Sequence, residues 1–399
     1  MLRQALVTLS LIGVMLCAAV WASGMPMPLP AWLGLVLCAT VFWFAYLPKH
    51  RRDAALNGGG VTYPRWVWAS LVFFRFAKGY LRYAFTGATG SDYYYDMRRL
   101  FRLTNGRLND AIARVHRIVK RPYLLPNRVG VLGDLTDDRL DPITAGLKRD
   151  GLFRFDARLS TDICARLRSW ALRTPARPIP APSTGDDRLI YDGANPVATK
   201  YMFDPQAVFE NPDVQRLASD YSILSVAQAY FGCRPILTHY FMWWSTAHST
   251  EPCDEAAQLF HYDMANIKFL KLFFYLTDVT PDTGPHSYVT GSHKRLPAAL
   301  RDRDRRFSDD EIKQHYDSER IAEITGPTGT IFAADTRGLH KGCPLREGER
   351  LILQFQFSTC DLCFERIKID LNDRFSPSFK EMVADYPYVY SRFTQPVNG

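Results

Sequence analysis

The chain has 399 residues, 47% of them hydrophobic and 23% charged. That balance excludes an intrinsically disordered protein and is enough for one large domain with accessories, or for two domains. The net charge of +8 is local: residues 61–128 carry thirteen Lys/Arg against three Asp, residues 1–60 are net +3, and the remainder is net −5. This argues against a general nucleic-acid binder and for a basic surface confined to one region.

The chain opens on two uncharged apolar stretches, "ALVTLSLIGVMLCAAVWAS" (5–23) and "AWLGLVLCATVFWFAYL" (31–47), separated by the Pro-rich break "GMPMPLP". Each is close to the ~20 residues a helix needs to cross ~30 Å of hydrocarbon. Arg3 precedes the first stretch, and Lys49, His50, Arg51 and Arg52 follow the second. Positive charge at both outer ends predicts a transmembrane hairpin over 1–60, set in the cytoplasmic (inner) membrane with both ends on the cytoplasmic side. "AVWAS" also reads as a signal-peptide cleavage site, so retention of the first segment is left open.

Residues 66–85 place Arg75, Lys78 and Arg82 on one helical face among Trp66, Trp68, Phe73, Phe74, Phe76, Tyr80, Tyr83 and Phe85. Three cations make spanning expensive. The pattern predicts either a basic amphipathic helix in the headgroup plane or a core helix with snorkelling cations. "RLNDAIARVHRIVKR" (107–121) predicts a second basic amphipathic helix. Residues 61–128 therefore read as a juxtamembrane helical region, attracted to an anionic leaflet by ~1 kcal/mol per cation near the surface.

From 129 to 399 the pattern is that of a soluble domain. Residues 143–172 read as helix, short strand and helix, with Ser160 or Thr161 as a cap. A Pro-rich link (173–187) follows, and 205–230 looks helical. Beyond 235 short β-rich runs dominate: "ILTHYFMWWS", "FLKLFFYLTDV", "GTIFAAD" and "RLILQFQFS". Many short strands between Gly, Pro and Asp turns predict a mainly β sandwich or barrel-like core with flanking helices. The six Cys of this region form no dense disulfide framework. Cys360-x-x-Cys363 has no second C-x-x-C and reads as two thiols at a strand end.

The chemistry gathers in "FHYDMANIKFLKLFFYLTDVTPDTGPHSYVTGSHK" (260–294) and "GTIFAADTRGLHKGCPLREGERLILQFQFS" (329–358). On a strand, residues i and i+2 point the same way, so His261 and Asp263 can reach one ion while Tyr262 faces away. Two His and one carboxylate on one face of an octahedron leave the other face open, the donor set of non-haem iron oxygenases. His340 offers the third donor. Arg350, ten residues on, starts the next strand, where a buried guanidinium can grip a dicarboxylate bidentately.

These two runs resemble the phytanoyl-CoA dioxygenase family at H-x-D (His261, Asp263), "LTDV" before the turn at Gly284, "GSHK" (Gly291–Lys294) and H-x(9)-R (His340, Arg350). "LKRDGLFRF…LSTDICARL" resembles the family's opening strand and helix, so the likeness runs from about 143 to 360. The resemblance implies a double-stranded β-helix of the jelly-roll, cupin-like kind. It implies iron(II) held by His261, Asp263 and His340, and 2-oxoglutarate as cosubstrate anchored by Arg350, with O2 as oxidant. Asp263 disfavours the halogenase variant, which has a small residue there. The family often has a hydroxyl side chain shortly after its distal His; here Lys341 and Gly342 follow.

Among the other polar residues, His293 reads as structural. His239 and His286 carry no assignment. Gln258, Lys200, Tyr240 and Trp243 are candidates to line the pocket, each equally readable as core. The expectation is a membrane-anchored iron(II)- and 2-oxoglutarate-dependent dioxygenase that hydroxylates a lipid, a lipid-linked or another small molecule, with no nucleic-acid partner. Two rivals stand beside it. A catalytically inactive membrane scaffold on the same fold predicts His340 far from His261. A metal-dependent hydrolase on the same triad predicts turnover without oxygen and no succinate.

Overall fold

The computed structural model describes residues 65–87, 90–181, 188–249, 251–301, 306–362 and 366–395. The two expected membrane segments and Cys363 lie outside the described residues. Among those described, no helix is long and apolar enough to cross a membrane. The chain divides into two compact units, the first running to Val119 and taking in Ala265–Ile267 and Leu362–Phe364.

The first unit is built on three helices, α1 (Arg65–Thr86), α2 (Ser91–Thr104) and α3 (Arg107–Val119). Helix α1 buries Ala69, Val72, Phe76 and Tyr83, a stripe at helical spacing. At Gly79 the Tyr93 ring of α2 lies on the α1 backbone; a Cβ there would stand 2.0 Å from Tyr93 Cγ. Arg75 forms an ion pair with the fully buried Asp96 at 3.0 Å, and Tyr80 hydrogen-bonds His116 of α3. The core-helix reading is seen on one face of this helix; the headgroup-plane reading is untested. One face is core, while Phe74 and Phe85 stay more than half exposed among Arg75, Lys78 and Arg82.

The second unit is mainly β with flanking helices. It opens with a two-stranded hairpin, β1 (Val129–Gly130) and β2 (Gly133–Asp134), followed by α4 (Asp137–Asp150), β3 (Leu152–Arg158) and α5 (Thr161–Ala171). Ser160 caps α5, its Oγ accepting from Ile163 N–H at 3.3 Å. Gly151 turns α4 into β3 at φ +80°, and a Cβ there would meet Tyr288 Oη at 2.2 Å and His293 Nδ1 at 2.4 Å, so glycine is required twice over. His293 thus braces this turn, the structural role expected of it. Strands β4 (Ala176–Ile179) and β5 (Lys200–Phe203) come next. Helices α6 (Pro205–Phe209), α7 (Pro212–Ala218) and α8 (Tyr221–Phe231) follow, capped by Asp204, Asn211 and Asp220.

The remaining strands are β6 (Ile236–Thr246), β7 (Phe269–Tyr275), β8 (His286–Val289), β9 (Ile321–Ile324), β10 (Thr330–Ala334), β11 (His340–Gly342) and β12 (Glu349–Ser358). They build a seven-stranded sheet of order β3-β10-β7-β12-β6-β5-β4 and a three-stranded sheet of order β11-β8-β9, a cupin-like arrangement. The strand period of two divides the large sheet's faces. Leu351, Leu353, Phe355 and Phe357 of β12 join Tyr240, Met242 and Trp244 of β6 in the helix-covered core. Ile352 turns the other way, into a second core with Phe273, Tyr275, Phe332 and Tyr288 of the small sheet. The candidate site lies on that inner side.

Candidate metal and cosubstrate site

His261 does not stand on a regular strand, as its spacing had predicted. It makes an isolated antiparallel bridge with His340, exchanging backbone bonds in both directions at 2.8 and 2.9 Å, and Asp263 N–H donates to Thr336 O at 2.7 Å. The segment 260–263 is therefore extended and tied to the chain around β11, which brings the three side chains together. Their ligand atoms lie within 4.8 Å of one another. His340 Nε2 stands 3.4 Å from Asp263 Oδ2 and His261 Nε2 4.0 Å from Asp263 Oδ1.

Each imidazole is oriented from behind. His261 Nδ1 bonds Leu259 O and His340 Nδ1 bonds Gly338 O, both at 2.9 Å. A carbonyl only accepts, so Nδ1 carries the proton and the Nε2 lone pair faces the cluster. Burial, then His340, pushes His261 well below the usual histidine range, so it stays neutral and able to ligate. Burial pushes Asp263 up, but Lys271, His340 and His261 together outweigh it and hold the carboxyl well below its ordinary range. Two imidazole nitrogens and a carboxylate oxygen suit a divalent first-row metal.

Lys271 was not singled out from the sequence. Its Nζ lies 2.7 Å from Asp263 Oδ2, on a strand that is otherwise apolar. The available signal was a lone cation inside "FLKLFFY", which a buried strand keeps only with a partner.

Arg350 is 4% exposed. Its Nη2 donates to Ser245 Oγ at 3.1 Å, while Nε and Nη1 are buried without a partner. Sheet register sets Lys200 beside Ser245 and Ser245 beside Arg350, so one row across β5, β6 and β12 carries two cations. Lys200 Nζ lies over the Trp243 ring, 4.6 Å from its centroid. Burial, reinforced by Arg350 and Lys271, pushes its ammonium down to about 7. Burial, with His340 and Arg350, also pushes His286 well below the histidine range.

The other candidates separate. Trp243 faces the inner side, but Tyr240 does not: it belongs to the helix-covered core and donates to Ile367 O at 2.9 Å. Residues three apart on a strand cannot both wall one pocket. Gln258 accepts from Cys253 N–H at 2.8 Å and closes the 253–258 turn. His239 bonds Gln356 Nε2 at 2.9 Å.

The residues fit the groups implied by the resemblance. Three donor atoms converge for a metal, and a buried guanidinium holds two unused N–H groups for a carboxylate. The family model for phytanoyl-CoA dioxygenase (PhyH) matches residues 147–346. No curated protein matches the chain. Similar solved structures include the non-heme alpha-ketoglutarate-dependent epimerase SnoN from nogalamycin biosynthesis, at 19% identity over 56% of this chain and 83% of that one, TM-score 0.37. EctD from S. alaskensis with bound Fe is another, at 19% identity over 60% of this chain and 83% of that one, TM-score 0.40. The chain belongs to the phytanoyl-CoA dioxygenase family and is an iron(II)- and 2-oxoglutarate-dependent oxygenase.

Proposed function

We propose that this member of the phytanoyl-CoA dioxygenase family is a membrane-tethered hydroxylase in which His261, Asp263 and His340 hold iron(II) and Arg350 grips the far carboxylate of 2-oxoglutarate. The observation that carries the reading is the convergence of the three donor atoms within 4.8 Å, with both Nδ1 atoms already committed to carbonyls. Iron(II) with 2-oxoglutarate supplies the oxidation of a substrate C–H by O2, with succinate and carbon dioxide as coproducts.

The chain's own residues position and shield. Backbone bonds between His261 and His340 set the two imidazoles at 4.3 Å between ring centroids. Lys271 bonds Asp263 Oδ2, and Oδ1 would remain to hold the metal. Arg350 is preorganised by Ser245, and its Nε and Nη1, on opposite edges of the guanidinium, have no partner among the described residues and remain able to donate to a carboxylate oxygen. Phe273, Tyr275 and Phe332 make the inner wall apolar, which keeps water away and strengthens the charged contacts.

We read the two facing sheets as a double-stranded β-helix within residues 129–399, preceded by a membrane hairpin over 1–60 and a basic helical region over 61–128. The support is the uncharged length and basic flanks of 5–23 and 31–47, with Phe74 and Phe85 exposed among cations on α1. On this reading the oxygenase sits on the cytoplasmic face, with a lipid or lipid-linked small molecule as substrate. Membranes incubated with enzyme, iron(II), 2-oxoglutarate and O2 are expected to yield lipid-fraction species heavier by one oxygen; products confined to the soluble fraction would overturn the location-based part.

A further inference from the structure

One histidine between the sheets belongs to neither the proposed metal set nor any hydrogen bond through its Nε2. His286 opens β8 and is 6% exposed. Its ring lies 5.0 Å from Phe273, 5.3 Å from Phe332 and stacks on His340 at 5.5 Å and 24°. Those contacts put it in the inner space, beside one proposed metal ligand. Its Nε2 is buried without a partner. Leaving such a group unbonded is destabilising, so a retained buried imidazole asks what completes it.

Register answers with Arg350. His286 pairs with Gly342 across β8 and β11, and the Arg350 guanidinium lies over Gly342, where a Cβ would meet Nη2 at 3.1 Å. Tyr275 links the two: its Oη accepts from His286 N–H at 3.1 Å, and it interacts electrostatically with Arg350. Three buried polar atoms without partners, His286 Nε2 and Arg350 Nε and Nη1, thus belong to residues brought together at one end of the inner space. A neutral imidazole still offers one N–H, and a carboxylate has about four acceptor sites.

We propose that His286 is a cosubstrate-binding residue whose Nε2–H, alongside Arg350, holds the far carboxylate of 2-oxoglutarate. This rests on the oxygenase reading above. The test titrates 2-oxoglutarate into the full chain with iron(II) under anaerobic conditions, following the visible charge-transfer absorption. Cobalt(II) calorimetry runs beside it as the metal-site control. His286→Leu and His286→Met are both expected to weaken 2-oxoglutarate roughly ten- to a hundred-fold, the size of a lost hydrogen bond to a charged group. Cobalt(II) affinity should not change, His286→Gln should recover part of the loss, and pyruvate, which lacks the far carboxylate, should bind the variants and the parent alike. Equal 2-oxoglutarate affinity in parent and variants would overturn the inference and leave the oxygenase reading standing; failure of the parent itself to bind would overturn that reading. A cosubstrate-bound structure decides without any variant: Nε2 farther than about 3.5 Å from the carboxylate refutes the contact.

Discussion

Lys271→Met removes the lysine that, among the described residues, forms an ion pair with the Asp263 carboxylate. At the observed 2.7 Å, two unit charges attract by about 6 kcal/mol at an effective dielectric near 20. Part of that is recovered when the carboxylate, 24% exposed, turns to water, leaving a loss of about 2–4 kcal/mol, the usual cost of truncating one partner of a mostly buried pair. Metal-free protein should therefore melt several degrees lower. The same lysine repels a dication bound to Asp263, so cobalt(II) should raise the melting temperature of the variant by more than that of the parent. Asp263→Asn combined with Lys271→Met should lose less than the two single losses added together, because the pair acts as a unit. Thermal melts with and without cobalt(II) measure all three effects. An unchanged metal-free melt, or strictly additive losses, would refute the claim that Lys271 neutralises the cluster.

Arg350→Ala should weaken 2-oxoglutarate by about 2–4 kcal/mol, on the order of thirty- to a thousand-fold, while cobalt(II) affinity holds, as read by calorimetry. Asp335 is fully buried and bonded by Arg337 at 2.8 Å and by Tyr230 at 2.6 Å. Burial pushes its carboxyl up, but Arg337 outweighs burial and holds it below the carboxylate range. Its contribution is thus complete above the unfolded value near 4 and is lost as pH falls through the lower folded value. Asp335→Asn should cost about 3–5 kcal/mol at neutral pH and flatten the acid limb of denaturant-measured stability against pH. Tyr240→Phe should cost about 1 kcal/mol of stability, the bond to Ile367 O, and leave succinate formation unchanged; a fall in turnover would return Tyr240 to the pocket.

Much of the site could be read from spacing, because its logic is local. His261 and Asp263 are two apart, and an extended segment puts them on one side whether or not it joins a ladder. The structure replaces the expected strand by a single bridge to His340 without disturbing that geometry. Helix ends were legible for the same reason: of the two expected caps, Ser160 and Thr161, Ser160 is the one that caps, since a hydroxyl and a nearby N–H are neighbours in sequence. Pairings between distant strands were not legible. Nothing in "ATKYMF" says that Lys200 lies across Ser245 from Arg350, or that His286 lies opposite Gly342; those facts come from register. Tyr240 and Trp243 were both candidate pocket residues, although their separation by three excluded one of them. Lys271 escaped notice because a lysine within an apolar strand gains meaning only once its carboxylate partner, eight residues away, folds back beside it.

The central claim is that His261, Asp263, His340 and Arg350 form one iron and cosubstrate site. The most direct measurement is the anaerobic titration of the full chain with iron(II) and then 2-oxoglutarate, followed by visible absorption. The account predicts a charge-transfer band that saturates at one equivalent of each, and that disappears in His261→Ala and Asp263→Ala. The absence of the band in the parent chain, or its persistence in either variant, would contradict it.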